Sequence, residues 1–352
     1  MIINNLHYID SLRWIAIILV LIVHSRILLT LANIDIQKNI DTLIWYWQYW
    51  VVLFFLVSSY TLFRSLSLRK ENNYKFFFLR RFFRIAPLYY LIIVILFFTT
   101  SWIPYYLDSN TSEITISNLL LHILFLNWFF NNMFNSIIWV EATIFIEVWF
   151  YLLLPFIYIY RKKINFIFIF FLMLTFFSFI YLKYSDVSLL TNIAIYKSPL
   201  VQFIAFIPWC YMYIYEKNNN INNIFIKYKN IIALMIIISL ILLSFYTPSF
   251  ILIIMILLFS LFFMIIKNNK TLLFNNKLLS FIWKISYSLY LIHFIIIIFV
   301  KNNYNEMFFK DYNIIYIYFI VFWIIFIIST LSYHLIEIPF MKFWKKIINN
   351  LK

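Results

Sequence analysis

The sequence predicts an all-α fold, a polytopic membrane protein of about ten transmembrane helices with one short interfacial or re-entrant helix near 118–130. Three observations carry this expectation. Of the 352 residues, 65% are hydrophobic and only 12% charged, against about 25% charged in soluble domains. The apolar residues fall into blocks of about twenty, the length a helix needs to cross a bilayer. They also lack the ten-residue alternating segments of an outer-membrane barrel, and helices satisfy their own backbone groups in lipid. The blocks use up the chain, so a single membrane-embedded domain over 1–352, with no fused soluble domain, is expected.

Apolar runs between polar punctuation place the spans near 12–31, 43–63, 86–102, 138–160, 164–182, 199–215, 231–246, 250–266, 281–300 and 314–336. The stretch NLLLHILFLNWFF at 118–130 is too short to cross and ends in an aromatic and Asn cluster, so it reads as interfacial or re-entrant. Charge supports this count. With ten spans and the N-terminus inside, 20 basic residues face the cytoplasm and six (Arg26, Lys38, Lys183, Lys197, Lys301 and Lys310) face the other side, as positive-inside topology requires. An eleventh crossing at 118–130 would put Arg161, Lys162 and Lys163 outside and reverse every later loop. The first apolar run, Trp14 to Leu31, has span length and no small-residue cleavage site, so it is expected to stay as span one. The expected location is the inner (cytoplasmic) membrane, with both termini cytoplasmic.

The chain contains no glycine, where about 25 would be usual for its length. Gly-rich phosphate loops, dinucleotide fingerprints and GxxxG faces are therefore excluded. The single cysteine, Cys210, lies in an apolar run, which rules out a disulfide framework and a Cys-based metal site, and no metal is expected. The net charge of +15 follows the topology, so membrane lipids and not nucleic acid are the expected partners.

Ionisable side chains inside spans are costly and point to function. Span one holds Arg13 and His24, eleven residues apart, which is about 16 Å or three helical turns on roughly one face. Histidine accepts protons near neutral pH, so His24 is a candidate general base for a transfer in which an acceptor loses a proton. Arg13 reads equally as a snorkelling interface residue. Arg80, Arg81 and Arg84 close a cytoplasmic loop before Pro87, which is expected in the first turn of span three. They present guanidinium forks suited to phosphate, or anchor lipid headgroups. Span four carries Glu141 near its outer end and Glu147 within the apolar run, and a carboxylate so placed is neutralised, paired or catalytic. Ser286, Tyr290 and His293 recur at helical spacing, while Tyr287, Tyr290 and His334 read as belt residues or interhelical hydrogen-bond partners. His122 is expected at the interface.

Taken together, these segments resemble the bacterial membrane acyltransferases of the acyltransferase-3 family, over essentially the whole chain and in the same order. Asp10-Ser11-Leu12-Arg13 with His24 matches the family's Arg, ten residues, His signature. Leu53 to Ser59 resembles its FFxxSG segment, with Ser59 in place of Gly. Arg81 to Arg84 with Pro87 resembles RxxR-x-x-P. Glu147 to Tyr151 resembles the end of WSxxxE-x-x-FY, with Ala142-Thr143 where Trp-Ser is usual. Ser286 to His293 resembles SYxxYxxH, and Glu337-Ile338-Pro339 resembles the terminal E-x-P.

The resemblance implies transfer of an acyl group, usually acetyl, from cytoplasmic acyl-CoA to a hydroxyl of a cell-surface polysaccharide or lipid-linked glycan. His24 and Glu147 would be catalytic, and Arg13, Arg80, Arg81 and Arg84 would bind the donor. Asp10, Tyr287, Tyr290, His293 and Glu337 would support them. Acyl-CoA enters as substrate, and no tightly bound cofactor is implied. The chain would act alone or with a separate extracytoplasmic transferase or glycan-synthesis protein. A transporter or flippase of a glycan or acylated intermediate, with Glu147, His24 and Arg13 as its polar pathway, is the alternative, against which stands the lack of a visible internal repeat.

The charge asymmetry makes a direct prediction. After replacement of Cys210, a cysteine at position 72 or 350 stays unmodified by a membrane-impermeant reagent in intact cells and reacts once the cells are opened. Labelling in intact cells would overturn the topology.

Overall fold

A computed structural model describes residues 7–31, 50–69, 74–99, 115–130, 133, 136–184, 199–218, 254–263, 277–303 and 314–350. These residues are helical or in turns, with no strand among them. The helices are α1 (His7–Leu31), α2 (Trp50–Arg69), α3 (Tyr74–Thr99), α4 (Ile116–Ile123), α5 (Glu141–Ile159), α6 (Ile164–Tyr184), α7 (Ile207–Asn218), α8 (Ile254–Phe263), α9 (Lys277–Lys284), α10 (Ser286–Asn303), α11 (Ile314–Ser332) and α12 (Ile338–Asn350). Among the described residues, five stretches are long and apolar enough to cross a membrane: Ile9–Leu28, Trp50–Arg69, Tyr74–Thr99, Glu141–Ile159 and Ile315–Asn350. Phe203–Ile214, Ile254–Phe263 and Ser286–Lys301 are shorter apolar helices. The crossing expected at 231–246 lies outside the described residues.

Two expected boundaries are corrected. Pro87 does not open the third span: α3 begins at Tyr74 and carries Arg80, Arg81 and Arg84 on the helix, with Pro87 in its interior. Proline removes one backbone hydrogen bond, and neighbouring apolar packing carries the helix through it, as it does at Pro155 in α5. The helix of the last span does not stop near 336 but runs on to Asn350. A π turn over Tyr333–Glu337 joins α11 to α12, with the Ile338 N–H donating to the Tyr333 carbonyl five residues back. Pro339 supplies a cause, because it lacks an N–H and its ring crowds the carbonyl four residues earlier.

The chain forms two compact units. The first comprises 1–20, 37–71 and 153–286, and its core is aromatic. Phe55 of α2 stacks on Phe206, which precedes α7, with centroids 4.7 Å apart, and Tyr60 of α2 meets Tyr213 of α7 edge-on at 5.6 Å. Trp209 packs on Phe263 of α8 at 4.2 Å and donates its indole N–H to Ser260 Oγ at 3.1 Å. Ser59, which stands where the motif has Gly, is fully buried and donates its hydroxyl to the Leu56 carbonyl at 2.7 Å. The serine thereby satisfies its hydroxyl within its own helix. Cys210 is buried against the Ser59 carbonyl, the small apolar side chain expected there.

The second unit comprises 21–36, 72–152 and 287–352. Here α4 ends in a Schellman motif: Leu126 N–H donates to the Leu121 carbonyl at 2.8 Å and Phe125 N–H to the His122 carbonyl at 3.1 Å. The left-handed residue is Phe125, with φ 54°, where other chains use glycine. That backbone costs about 1–2 kcal/mol, offset by stacking of Phe125 on Tyr89 at 5.2 Å and by the Trp149 indole N–H donated to its carbonyl at 3.1 Å.

His122, expected at the membrane interface, is enclosed by protein. It is fully buried, with Nε2 2.8 Å from Glu141 Oε1 and Nδ1 2.8 Å from the Asn118 carbonyl. The Glu141 carboxylate also accepts from Ile138 N–H at 3.0 Å, and Ser136 donates to Asn118 Oδ1 at 3.0 Å. This cluster ties α4 to the start of α5. Both ring nitrogens face acceptors, so the imidazolium satisfies both. Burial opposes its charge, but the field and hydrogen bond of Glu141, with the Asn118 carbonyl, outweigh burial and raise the pKa of His122 above 6.5.

A raised folded-state pKa means that this contribution is complete below about pH 6.5 and is lost as pH rises through the folded value. His122→Ala is therefore expected to cost about 3 kcal/mol by stranding a buried carboxylate. It is also expected to flatten the decline of thermal stability above pH 6.5 in detergent. An equal slope in wild type and variant would show that the pair does not titrate there.

Candidate functional site

The second unit brings two sequence-predicted histidines together. His24 Nδ1 lies 2.9 Å from His293 Nε2, although 269 positions separate them. His293 is fully buried, and its Nδ1 is 3.0 Å from the Leu289 carbonyl one turn back on α10. A carbonyl can only accept, so the proton of a neutral His293 sits on Nδ1 and its Nε2 carries a lone pair. That lone pair accepts the Nδ1 proton of His24. The neutral His24 is thereby fixed as the tautomer whose Nε2 bears the lone pair, the form a general base requires. The Tyr318 hydroxyl donates to the Ser25 carbonyl at 2.7 Å and holds the adjoining turn of α1 on α11.

Aromatic residues wall this pair. Phe294 meets His24 edge-on at 5.2 Å, and Trp139 stacks on Phe294 at 6.1 Å with nearly parallel rings. Trp139 is 45% exposed and has φ 67°, at the centre of a three-residue turn closed by Val140 N–H to the Ile138 carbonyl at 2.8 Å. Tyr290, one turn before His293, hydrogen-bonds Thr143 and donates to the Val140 carbonyl at 3.1 Å. Thr143 thus keeps the hydroxyl of the motif's serine, and Ala142 loses only the indole.

The remaining candidates fall into separate clusters. In the first unit, Arg13 donates to Thr61 Oγ1 at 3.0 Å and lies over the Trp283 ring at 5.4 Å, and half-buried Asp10 stands in the first turn of α1. In the second unit, Glu147 accepts from the Tyr151 hydroxyl at 2.5 Å. Arg81 lies over both the Tyr151 and Phe77 rings at 6.0 Å, and Arg80 is buried. Arg84 Nη1 is 4.0 Å from Glu337 Oε2 and 3.5 Å from Met341 Sδ. Ser288 donates to the other oxygen of Glu337, and Tyr287 donates to the Ile85 carbonyl at 2.7 Å. The conspicuous arginine group is thus partly buried and partly neutralised, and Glu337 on the π turn is its counter-charge.

Sequence reasoning gave the orienting of His24 to Glu147, whereas the hydrogen bond described at His24 Nδ1 comes from His293. Periodicity could not reveal that partner. The i, i+4 relation of Leu289 to His293 was visible as helical spacing, but the tautomer it imposes was not.

The fold is that of a helical membrane protein with two histidines paired among its apolar helices. The chain belongs to the acyltransferase-3 family: that family's "Acyltransferase domain" matches residues 6–334, nearly the whole chain, and marks the protein as an acyltransferase. No curated protein and no solved structure matches it.

The Arg84–Glu337 contact predicts non-additivity. Glu337 has 1% of its side chain exposed and Arg84 has 30%, so Arg84→Gln leaves a buried carboxylate without its cation. A double-mutant cycle of Arg84→Gln and Glu337→Gln, read by thermal unfolding, is expected to give a coupling of about 1 kcal/mol. Additive losses would place Arg84 outside the structural network.

Proposed function

We propose that this protein transfers an acyl group, acetyl in the simplest case, from acyl-CoA to a hydroxyl of a cell-surface polysaccharide or lipid-linked glycan, with His24 as general base. The reading is carried by the His24–His293 contact, together with membership of an acyltransferase family. Nε2 of His24 takes the acceptor's hydroxyl proton as that oxygen attacks the thioester carbonyl carbon. The tetrahedral intermediate collapses with cleavage of the C–S bond. The CoA sulfur leaves with the proton returned from the imidazolium, which gives the ester and free thiol. His293 acts as a positioning residue: it touches no reacting atom but accepts from His24 Nδ1 and so stabilises the imidazolium while it exists. Trp139 and Phe294 supply an aromatic wall beside the base, a surface on which a sugar ring can lie.

In this reading the acceptor approaches from the far side of the membrane and the donor from the cytoplasm, in keeping with the charge asymmetry of the sequence. A glycan transporter would need neither a fixed tautomer nor an acyl donor. Mass spectrometry of a glycan acceptor incubated with acyl-CoA and the purified protein separates the two, because only the enzyme forms the ester.

His24→Ala is expected to lower acyl transfer by purified protein about 10²–10⁴-fold, with CoA binding and membrane insertion near wild type. His293→Ala is expected to lose about 10–10²-fold and to shift the pH–rate profile, which a purely structural residue would not do. Activity of His24→Ala within about threefold of wild type, at matched protein levels, would eliminate the base assignment.

A further inference from the structure

Of the arginines that the sequence offers for the donor's phosphates, Arg84 faces a buried carboxylate, whereas a second basic cluster has no carboxylate against it among the described residues. In the first unit a cavity of about 410 Å³ is lined by Phe63 and Ser67 of α2, Arg161 and Lys162, and Tyr213 of α7. Its volume lies within the range of small-molecule sites. Arg161 and Lys162 sit on the 3-10 turn Arg161–Lys163 between α5 and α6 and are exposed. Among the described residues neither has an ion-pair partner. This contrasts with Arg84, which faces Glu337.

Arg161 is also held in place. One of its terminal nitrogens donates to the Tyr158 carbonyl at 3.0 Å, and its guanidinium lies over the Tyr158 ring at 4.6 Å. That ring meets Phe63 edge-on at 5.3 Å, and Phe63 meets Tyr213 at 5.8 Å. An aromatic train thus runs from the cavity wall to the cation, which loses little freedom on gripping a ligand. Two adjacent cations, a hydroxyl and the part-exposed ring of Tyr213 around one space suit a phosphate ester carried on an aromatic or apolar body.

We propose that this cavity binds the phosphorylated nucleotide end of the acyl donor, with its phosphates on Arg161 and Lys162 and its ring system against Tyr213, which the buried Phe63 backs. The proposal rests on the acyl-CoA reading above. A lipid headgroup shares the phosphate but has no ring to fill the aromatic wall, and the free nucleotide distinguishes the two sources.

The test is equilibrium binding of CoA, and of adenosine 3′,5′-bisphosphate as a probe without the thiol arm, to the purified full-length chain in detergent. Arg161→Gln with Lys162→Gln is expected to weaken both at least tenfold. Its thermal unfolding should stay near wild type, because exposed charge contributes little to stability. Ser67→Trp, which fills the cavity without touching charge, is expected to weaken both likewise and serves if the double variant folds poorly. Wild-type CoA binding with unchanged affinity in both variants overturns the cavity but leaves the acyl-CoA reading intact. Failure of the wild type to bind CoA overturns both. Loss of co-purifying phosphatidylglycerol in the double variant, with nucleotide affinity unchanged, makes the cavity a headgroup site and overturns the proposal.

Discussion

Polar side chains in this protein sit where water cannot stabilise them, and much of the structure follows from the partners they find inside the chain. A buried polar group without a partner costs several kcal/mol in an apolar medium, so each pairing constrains the helices that carry it. His24 with His293 joins α1 to α10, Ser288 with Glu337 joins α10 to the π turn, and Arg84 brings α3 to the same carboxylate. Tyr287 adds α3 once more through the Ile85 carbonyl. The groups that look catalytic therefore also hold the second unit together, and chemistry and packing cannot be separated by composition alone.

The same side chain does opposite things in two places because its neighbours differ. His122 lies between a carboxylate and a carbonyl, both acceptors, and is stabilised as a cation that fastens α4 to α5. His293 lies between a carbonyl and another imidazole, and passes the direction of one hydrogen bond on to the next. A histidine's function is thus written in the acceptor or donor character of two contacts.

What the sequence made legible was whatever local spacing encodes. Helical class, the helices around 12–31, 86–102 and 138–160, the short helix near 118–130 and the apolar site of Cys210 follow from run length and punctuation. Helix ends were less legible, since Pro87 read as a first-turn residue yet lies inside a continuous helix, where tertiary packing outweighs the missing hydrogen bond. The pairings were least legible. His24 and His293 could be picked out separately as polar residues in apolar runs, but nothing local says that they meet. His122 and Glu141, only 19 positions apart, meet because left-handed turns at Phe125 and Trp139 fold the intervening chain back, and no glycine marks either turn.

The absence of glycine has a consequence for how this protein tolerates change. Membrane helices that approach closely do so over small residues, whereas here rings such as Phe55 on Phe206 and Trp209 on Phe263 set the separation. A ring is a large, rigid spacer with two soft torsions, so one substitution removes a whole strut, where substitution at a glycine-based interface inserts a side chain instead. Such a core has few silent sites. Its drift under mutation should run through exchanges among Phe, Tyr and Trp, which keep the spacing, so that ring identity and not aliphatic volume is the quantity selection can adjust.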